Sequence, residues 1–326
     1  MSPPAVPPDP ARIPASDAIR WGLCCLVVDQ PLTFRSATHA YVSRLSGEQR
    51  LAYLDAIAVA NTRTLAETIE YCARLGVGAF RITSQLFPLA THPVSGFSID
   101  SLPSADEIRR GLAAARRLAK DAGIRLSFHP DQFIVLNSAR PEVVDSAVTE
   151  LEWHAQLAEV VGADVICLHG GSTAGGRDDA LDRLLRGVDR LSERVRSRLA
   201  IENDDRCYSV IDLLPACLAT GLPLVLDAHH HRVLPGELSL EEATDWAVAT
   251  WGDREPYFHL SSPRAGWGTG DPRPHADFID VRDVPSYWLE LGIPLTVDVE
   301  AKAKERAVVA VREAVAGLGV GAPPYS

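Results

Sequence analysis

From Ile19 onward the chain alternates short apolar runs with longer stretches whose apolar residues recur at helical spacing. Strand-length runs are predicted near 20–28, 77–83, 124–128, 163–169, 198–203, 222–228, 256–261 and 293–299. Between them lie patterns such as GEQRLAYLDAIAVANTRTLAETIEYCARLG and SADEIRRGLAAARRLAKDAG, which read as amphipathic helices. Regular alternation of this kind predicts parallel strands joined by right-handed crossovers, and eight strands predict closure. The expected fold class is therefore α/β, a single-domain (β/α)8 TIM barrel. Gly76, Gly123, Gly162, Gly221 and Gly292 each precede a predicted strand, as C-capping glycines of αβ turns do. Ser104 with Glu107 three residues later predicts a capping box.

Six of the runs stop at a ligand-type side chain: IRLSFHP, ADVICLHGG, RLAIENDD, LPLVLDAHHH, PYFHLSS and IPLTVDVE. The residues concerned are His129, His169, Glu202, Asp227 with His230, His259 and Glu300. A barrel carries its active site at the C-terminal ends of its strands, where all of these fall. Imidazole mixed with carboxylate suits Mn2+, Fe2+ or Zn2+, whereas oxygen alone suits Mg2+ or Ca2+. So many donors exceed the needs of one ion, and ionised groups in a barrel mouth are costly unless paired or metal-bound. Glu202 is the best candidate for a bridging carboxylate. His275 and Asp277, two apart in HADF, point to the same side if that segment is extended. They lie in SSPRAGWGTGDPRPHADFID, the longest irregular stretch, on the face where loops carry function. His39, His92 and His154 read as surface or satisfied core residues, and Asp204 and Asp205 suit a helix cap as well as a functional role.

Composition narrows the function classes. A net charge of −11 and a pI near 5.4 argue against non-specific coating of nucleic acid, although bound cations would offset part of that charge in an enzyme. The six cysteines show no CxxC pair or regular spacing, which predicts reduced, mostly buried thiols. No run of apolar residues is long enough to span a membrane, and a cytoplasmic, monomeric protein is expected. Residues 1–18 read as a flexible Pro-rich leader, 19–316 as the barrel and 317–326 as a C-terminal tail.

From about Ile19 to Arg306 the chain resembles the UV damage endonucleases, a family of xylose-isomerase-like barrels related to the metal-dependent AP endonucleases. FRITSQLFPLATHP, FHPDQFIVLNS, LHGGS, LAIENDD, LDAHHH, HLSSPR and VDVEAKAKE carry the resemblance. It implies a metal-dependent endonuclease that nicks damaged double-stranded DNA immediately 5′ to a UV photoproduct or other distorting lesion, leaving a 3′ hydroxyl. It further implies three divalent ions, usually Mn2+, with Zn2+ or Fe2+ as substitutes. One ion would be held by His129, His169 and Glu202, a second by Glu202, Asp227, His259 and Glu300, and a third by His230, His275 and Asp277. Glu202, Glu300, His129 and Asp227 would then be the catalytic set. Gln132 and Phe133 match the family's Gln and aromatic pair that probes an opened base step. Arg264 and Arg273, with Arg177, are candidates for phosphate contacts. Two positions depart from the family pattern. Tyr257 replaces a lysine that can become carboxylated, and Leu23 replaces a tyrosine of an R-x-G-Y segment that contacts the lesion strand. The alternative is a barrel enzyme of the same scaffold acting on a small molecule or peptide, such as a sugar isomerase or epimerase or a multinuclear iron oxidase.

Overall fold

Each predicted apolar run contains a strand. The computed structural model describes residues 18–268 and 270–318, and the leader and most of the tail lie outside them. The strands are β1 (Ile19–Cys24), β2 (Ala79–Ile82), β3 (Arg125–Phe128), β4 (Val165–His169), β5 (Leu199–Glu202), β6 (Leu224–Val225), β7 (Tyr257–Leu260) and β8 (Leu295–Val299). All pair in parallel in the order β6-β5-β4-β3-β2-β1-β8-β7. The remaining seam, between β6 and β7, is joined by one parallel bridge from Asp227 to His259. There the His259 amide donates to the Leu226 carbonyl at 3.0 Å.

Helices follow the strands as α1 (Gly47–Leu75), α2 (Ala105–Asp121), α3 (Pro141–Val161), α4 (Arg177–Asp189), α5 (Val210–Thr220), α6 (Leu240–Trp251), α7 (Ser286–Glu290) and α8 (Glu305–Leu318). Helix α8 therefore continues two residues into the stretch read as tail. In α1 the buried positions Leu54, Ile57, Ala58, Leu65, Ile69 and Cys72 fall on one stripe, which faces the sheet. Ser46 and Gln49 form a reciprocal capping box at its start, and Gly76 ends it in the left-handed conformation with φ of 67°. The other four predicted capping glycines also have positive φ. The predicted box at Ser104 is not formed. Its amide and hydroxyl both donate to Asp55 at 2.8 Å, while Glu107 pairs with Arg63 at 2.6 Å, so tertiary partners outcompete the local cap.

Strand alternation sorts the side chains into two layers. Outward residues, among them Trp21, Leu23, Phe80, Phe128, Phe258 and Val297, pack beneath the helices as the main core. Each large apolar side chain buried in this way contributes about 1.5–3 kcal/mol. Leu23 belongs to this layer and is fully buried, so it faces the helices and not the barrel mouth. The inward residues are mixed. Val165, Cys167, Ala200, Val225 and Tyr257 form a small apolar plug with Trp251, beside the charged pair Arg81 and Asp298. Gly22 is required here by close approach, since a Cβ at that position would stand 2.1 Å from Asp298 Oδ1. No helix among the described residues is long and apolar enough to cross a membrane.

Candidate metal centre

The C-terminal strand ends converge on Glu202. This side chain is 1 % exposed, at the end of β5, and four imidazoles surround it. His129 Nε2 lies 2.8 Å from Oε2, and His259 Nδ1 lies 2.9 Å from Oε1. His169 Nδ1 stands 3.6 Å from Oε2 and His230 Nδ1 3.5 Å from Oε1. Burial works against the Glu202 charge, but His259, His169 and hydrogen bonds from His129 and His230 outweigh it and hold its pKa well below the ordinary carboxylate value. The reciprocal effect differs from ring to ring. Burial dominates at His129 and lowers its pKa, whereas Glu202 outweighs burial at His259 and Asp227 and Glu202 outweigh it at His230, so both are raised.

Asp227 and His230 are positioned by a short helix, Ala228–Val233, which Asp227 caps by accepting from the His230 amide at 2.8 Å. This local cap leaves Asp227 Oδ2 buried without a hydrogen-bond partner, 3.6 Å from His230 Nδ1. His169 Nδ1 and His259 Nε2 are also buried and unpartnered. Such orphaned atoms are rare in folded proteins and cost free energy, so a cluster of them around an anion fits a cation site. Two groups of donors have atoms mutually within 4.8 Å: His129, Cys167, Glu202 and His259, and His169, Glu202 and His230. They share Glu202, the position expected to bridge.

Glu300 closes the ring from β8. His259 Nδ1 is 3.6 Å from its Oε1 and His275 Nδ1 3.7 Å from its Oε2. Arg81, on β2, reaches Glu300 at 2.7 Å and Asp298 at 2.8 Å. Although burial opposes its charge, Arg81 and then His259 lower the Glu300 pKa strongly. Tyr257 lies fully buried below His259. Its hydroxyl donates to Asp298 Oδ2 and sits 2.9 Å from Ser127 Oγ, so Tyr257 here belongs to a hydrogen-bonded floor beneath the mouth.

Other expected residues separate. The segment carrying His275 forms an antiparallel bridge with Pro263, which brings that ring inward. Asp277 is exposed and outside both donor groups, and its backbone carbonyl accepts from the Ala303 amide. Gln132 lines a cavity of about 810 Å³ with His129, His169, Glu202, His230 and Arg273. Phe133, 75 % exposed, stands on the same loop without packing beneath it. Arg264 is exposed, its amide bonded to the Pro274 carbonyl at 2.7 Å. Arg273 pairs with Asp205 at 3.2 Å and Asp271 at 3.4 Å, while Arg177 pairs with Asp212 at 2.7 Å. Asp204 accepts from the Arg206 and Cys207 amides and so holds a turn. His154 is buried against Phe128, and His39 stacks on His92, as structural histidines do.

Two inward residues escaped the sequence reading. Cys167 stands two residues before His169 on one strand face, with its thiol donating to Glu202 Oε2 at 3.2 Å, and that period of two was the available signal. Arg81 had no such cue, since an arginine within an apolar strand reads equally as an edge or a pairing residue. All six cysteines are free, four of them buried.

The model of the family described as UV-endonuclease UvdE matches residues 19–319. The chain is 38% identical over 304 residues to the UV DNA damage endonuclease of Deinococcus radiodurans, covering 89% of this chain and 94% of that protein. It superposes on the crystal structure of SacUVDE with a TM-score of 0.80 at 29% identity, covering 92% of this chain and 99% of that one. Endonuclease IV of Thermus thermophilus shares the fold, with a TM-score of 0.57 at 17% identity over 92% of this chain and 99% of its own. The chain belongs to the UV-endonuclease UvdE family.

Proposed function

We propose that the chain is a metal-dependent endodeoxyribonuclease that nicks damaged duplex DNA immediately 5′ to a UV photoproduct or other distorting lesion. The observation that carries this reading is the ring of imidazoles around Glu202 at an open barrel mouth, in a chain similar to the UV DNA damage endonuclease of D. radiodurans. His129, His169, Glu202, Asp227, His230, His259 and Glu300 would hold the ions, with Mn2+ the first to test and Zn2+ or Fe2+ as substitutes. A third ion shared with His275 requires the Asp277 carboxylate to turn inward from solvent. Divalent cations bound there supply positive charge to a phosphate and lower the pKa of water.

The remaining roles fall to protein groups. Arg81 keeps Glu300 ionised and fixed, and the Asp227 cap fixes His230. Phe133 and Gln132, on a loop beside the cavity, would fill an unstacked base step, which costs least where the duplex is already distorted. Arg264 and Arg273 would make phosphate contacts, with Arg273 exchanging Asp205 for phosphate. A monomer acting on DNA inside the cell suffices for all of these roles. A duplex carrying one photoproduct, incubated with purified protein and Mn2+, should be nicked just 5′ to the lesion. No nick above the Glu202→Gln background would overturn the proposal.

A further inference from the structure

Cys167 lies on the inward face of β4, one layer below His169, and is fully buried. Its Sγ is 3.2 Å from Glu202 Oε2, the oxygen that His129 Nε2 approaches at 2.8 Å. On the other carboxylate oxygen stands His259 Nδ1 at 2.9 Å. One donor atom from each of His129, Cys167, Glu202 and His259 lies within 4.8 Å of every other. Donors about 2.0–2.3 Å from a common tetrahedral ion stand about 3.3–3.8 Å apart, so shifts of about 1 Å or less bring the quartet to a single coordination sphere. A second observation points the same way. His259, itself one of the four, is fully buried with Nε2 unpartnered, an arrangement that a nearby cation would offset.

We propose that Cys167 is a thiolate ligand, completing with His129, Glu202 and His259 the inner of the two positions that share Glu202, a grouping that places on one ion two imidazoles that the family resemblance assigns to different ions. The proposal rests on the metal-centre reading above. On binding a divalent cation the sulfur–metal bond forms and the S–H proton leaves to solvent. A thiolate selects softer ions, so this inner position favours Zn2+, Co2+ or Fe2+ over Mn2+. The outer position at His169, Glu202 and His230 offers only nitrogen and oxygen and has no such preference. The two positions therefore differ in the cation they take.

The test is titration of the chelator-stripped full chain with Co2+ alone. Visible ligand-field bands should appear together with an intense near-ultraviolet sulfur-to-cobalt charge-transfer band. That band should persist in Cys24→Ser and Cys25→Ser and vanish in Cys167→Ser, while the ligand-field bands remain. Competition titration should show the Zn2+ affinity of Cys167→Ser falling by about tenfold or more, with Mn2+ affinity little changed. Ligand-field bands without the charge-transfer band, or a charge-transfer band that survives Cys167→Ser, would overturn the thiolate assignment and leave the metal centre standing. No ligand-field bands at all would overturn the metal centre itself. If Cys167→Ser does not fold, X-ray absorption of the zinc-loaded Cys24→Ser, Cys25→Ser, Cys207→Ser protein decides, since Cys207 lines the same cavity: a sulfur scatterer at about 2.3 Å supports the proposal and its absence overturns it.

Discussion

The Arg81 guanidinium and the Glu300 carboxylate meet at 2.7 Å inside the barrel, both largely shielded from water. The same guanidinium holds Asp298 at 2.8 Å, so one fixed cation compensates two inward acids. Removing a single partner from a buried ion pair strands the other charge and costs about 3–5 kcal/mol. Arg81→Gln should therefore destabilise the metal-free protein by that order in urea unfolding, with part of the loss recovered on adding Mn2+. Unchanged stability would show that the acids are compensated by other groups.

Tyr257 anchors the same network from the opposite wall. Tyr257→Phe deletes the donor to Asp298 and the contact with Ser127 while conserving the ring. A buried acceptor left short of one donor costs about 1–3 kcal/mol. A thermal melt should show a loss in that range with metal stoichiometry preserved. A drop in bound metal would instead tie the tyrosine directly to ion binding.

Metal uptake should release protons. The His230 and His259 pKa values are raised above 6.5 in the metal-free protein, because neighbouring carboxylates outweigh burial. Both rings consequently retain protons above that pH and must lose them to bind a cation. Apparent affinity should rise with pH until it passes the raised values, and calorimetry near pH 7 in buffers of different ionisation enthalpy should register proton release. Heats independent of the buffer would contradict this ordering.

The loop carrying Phe133 should separate recognition from chemistry. Because Phe133 is 75 % exposed, replacing Gln132 and Phe133 by alanine should alter stability by no more than about 0.5 kcal/mol. Bound metal should be unchanged while incision of a photoproduct duplex falls by tenfold or more, about 1.4 kcal/mol in the transition state. Loss of metal would make the loop a structural support.

The barrel was legible because its two signals, strand-length apolar runs and capping glycines, are local and recur along the chain. The donors around Glu202 were legible for a related reason: each closes a run, and a strand end has one location in this fold. Asp277 stands apart from His275 because a spacing of two fixes a common face only in extended chain, and the chain bends at Asp277. Ser104 misled because Asp55, distant in sequence, competes for the same hydroxyl and amide. Cys167 was passed over as one more apolar residue, its period-two relation to His169 hidden in a run buried on both faces. Arg81 could not be placed, since its partners Asp298 and Glu300 come from the far end of the chain and only closure brings them together.

That closure is completed at its weakest point by Asp227 and His259, the one bridge joining β7 to the two-residue strand β6. His259 stands 2.9 Å from the shared carboxylate and Asp227 caps the helix carrying His230 beside it, so a cation held there would also cinch the seam. Chelation should then loosen the barrel as well as empty the site. The His259 amide should exchange faster with solvent hydrogen than its neighbours in β8, because the ring of strands loses its clasp first where a single bridge holds it.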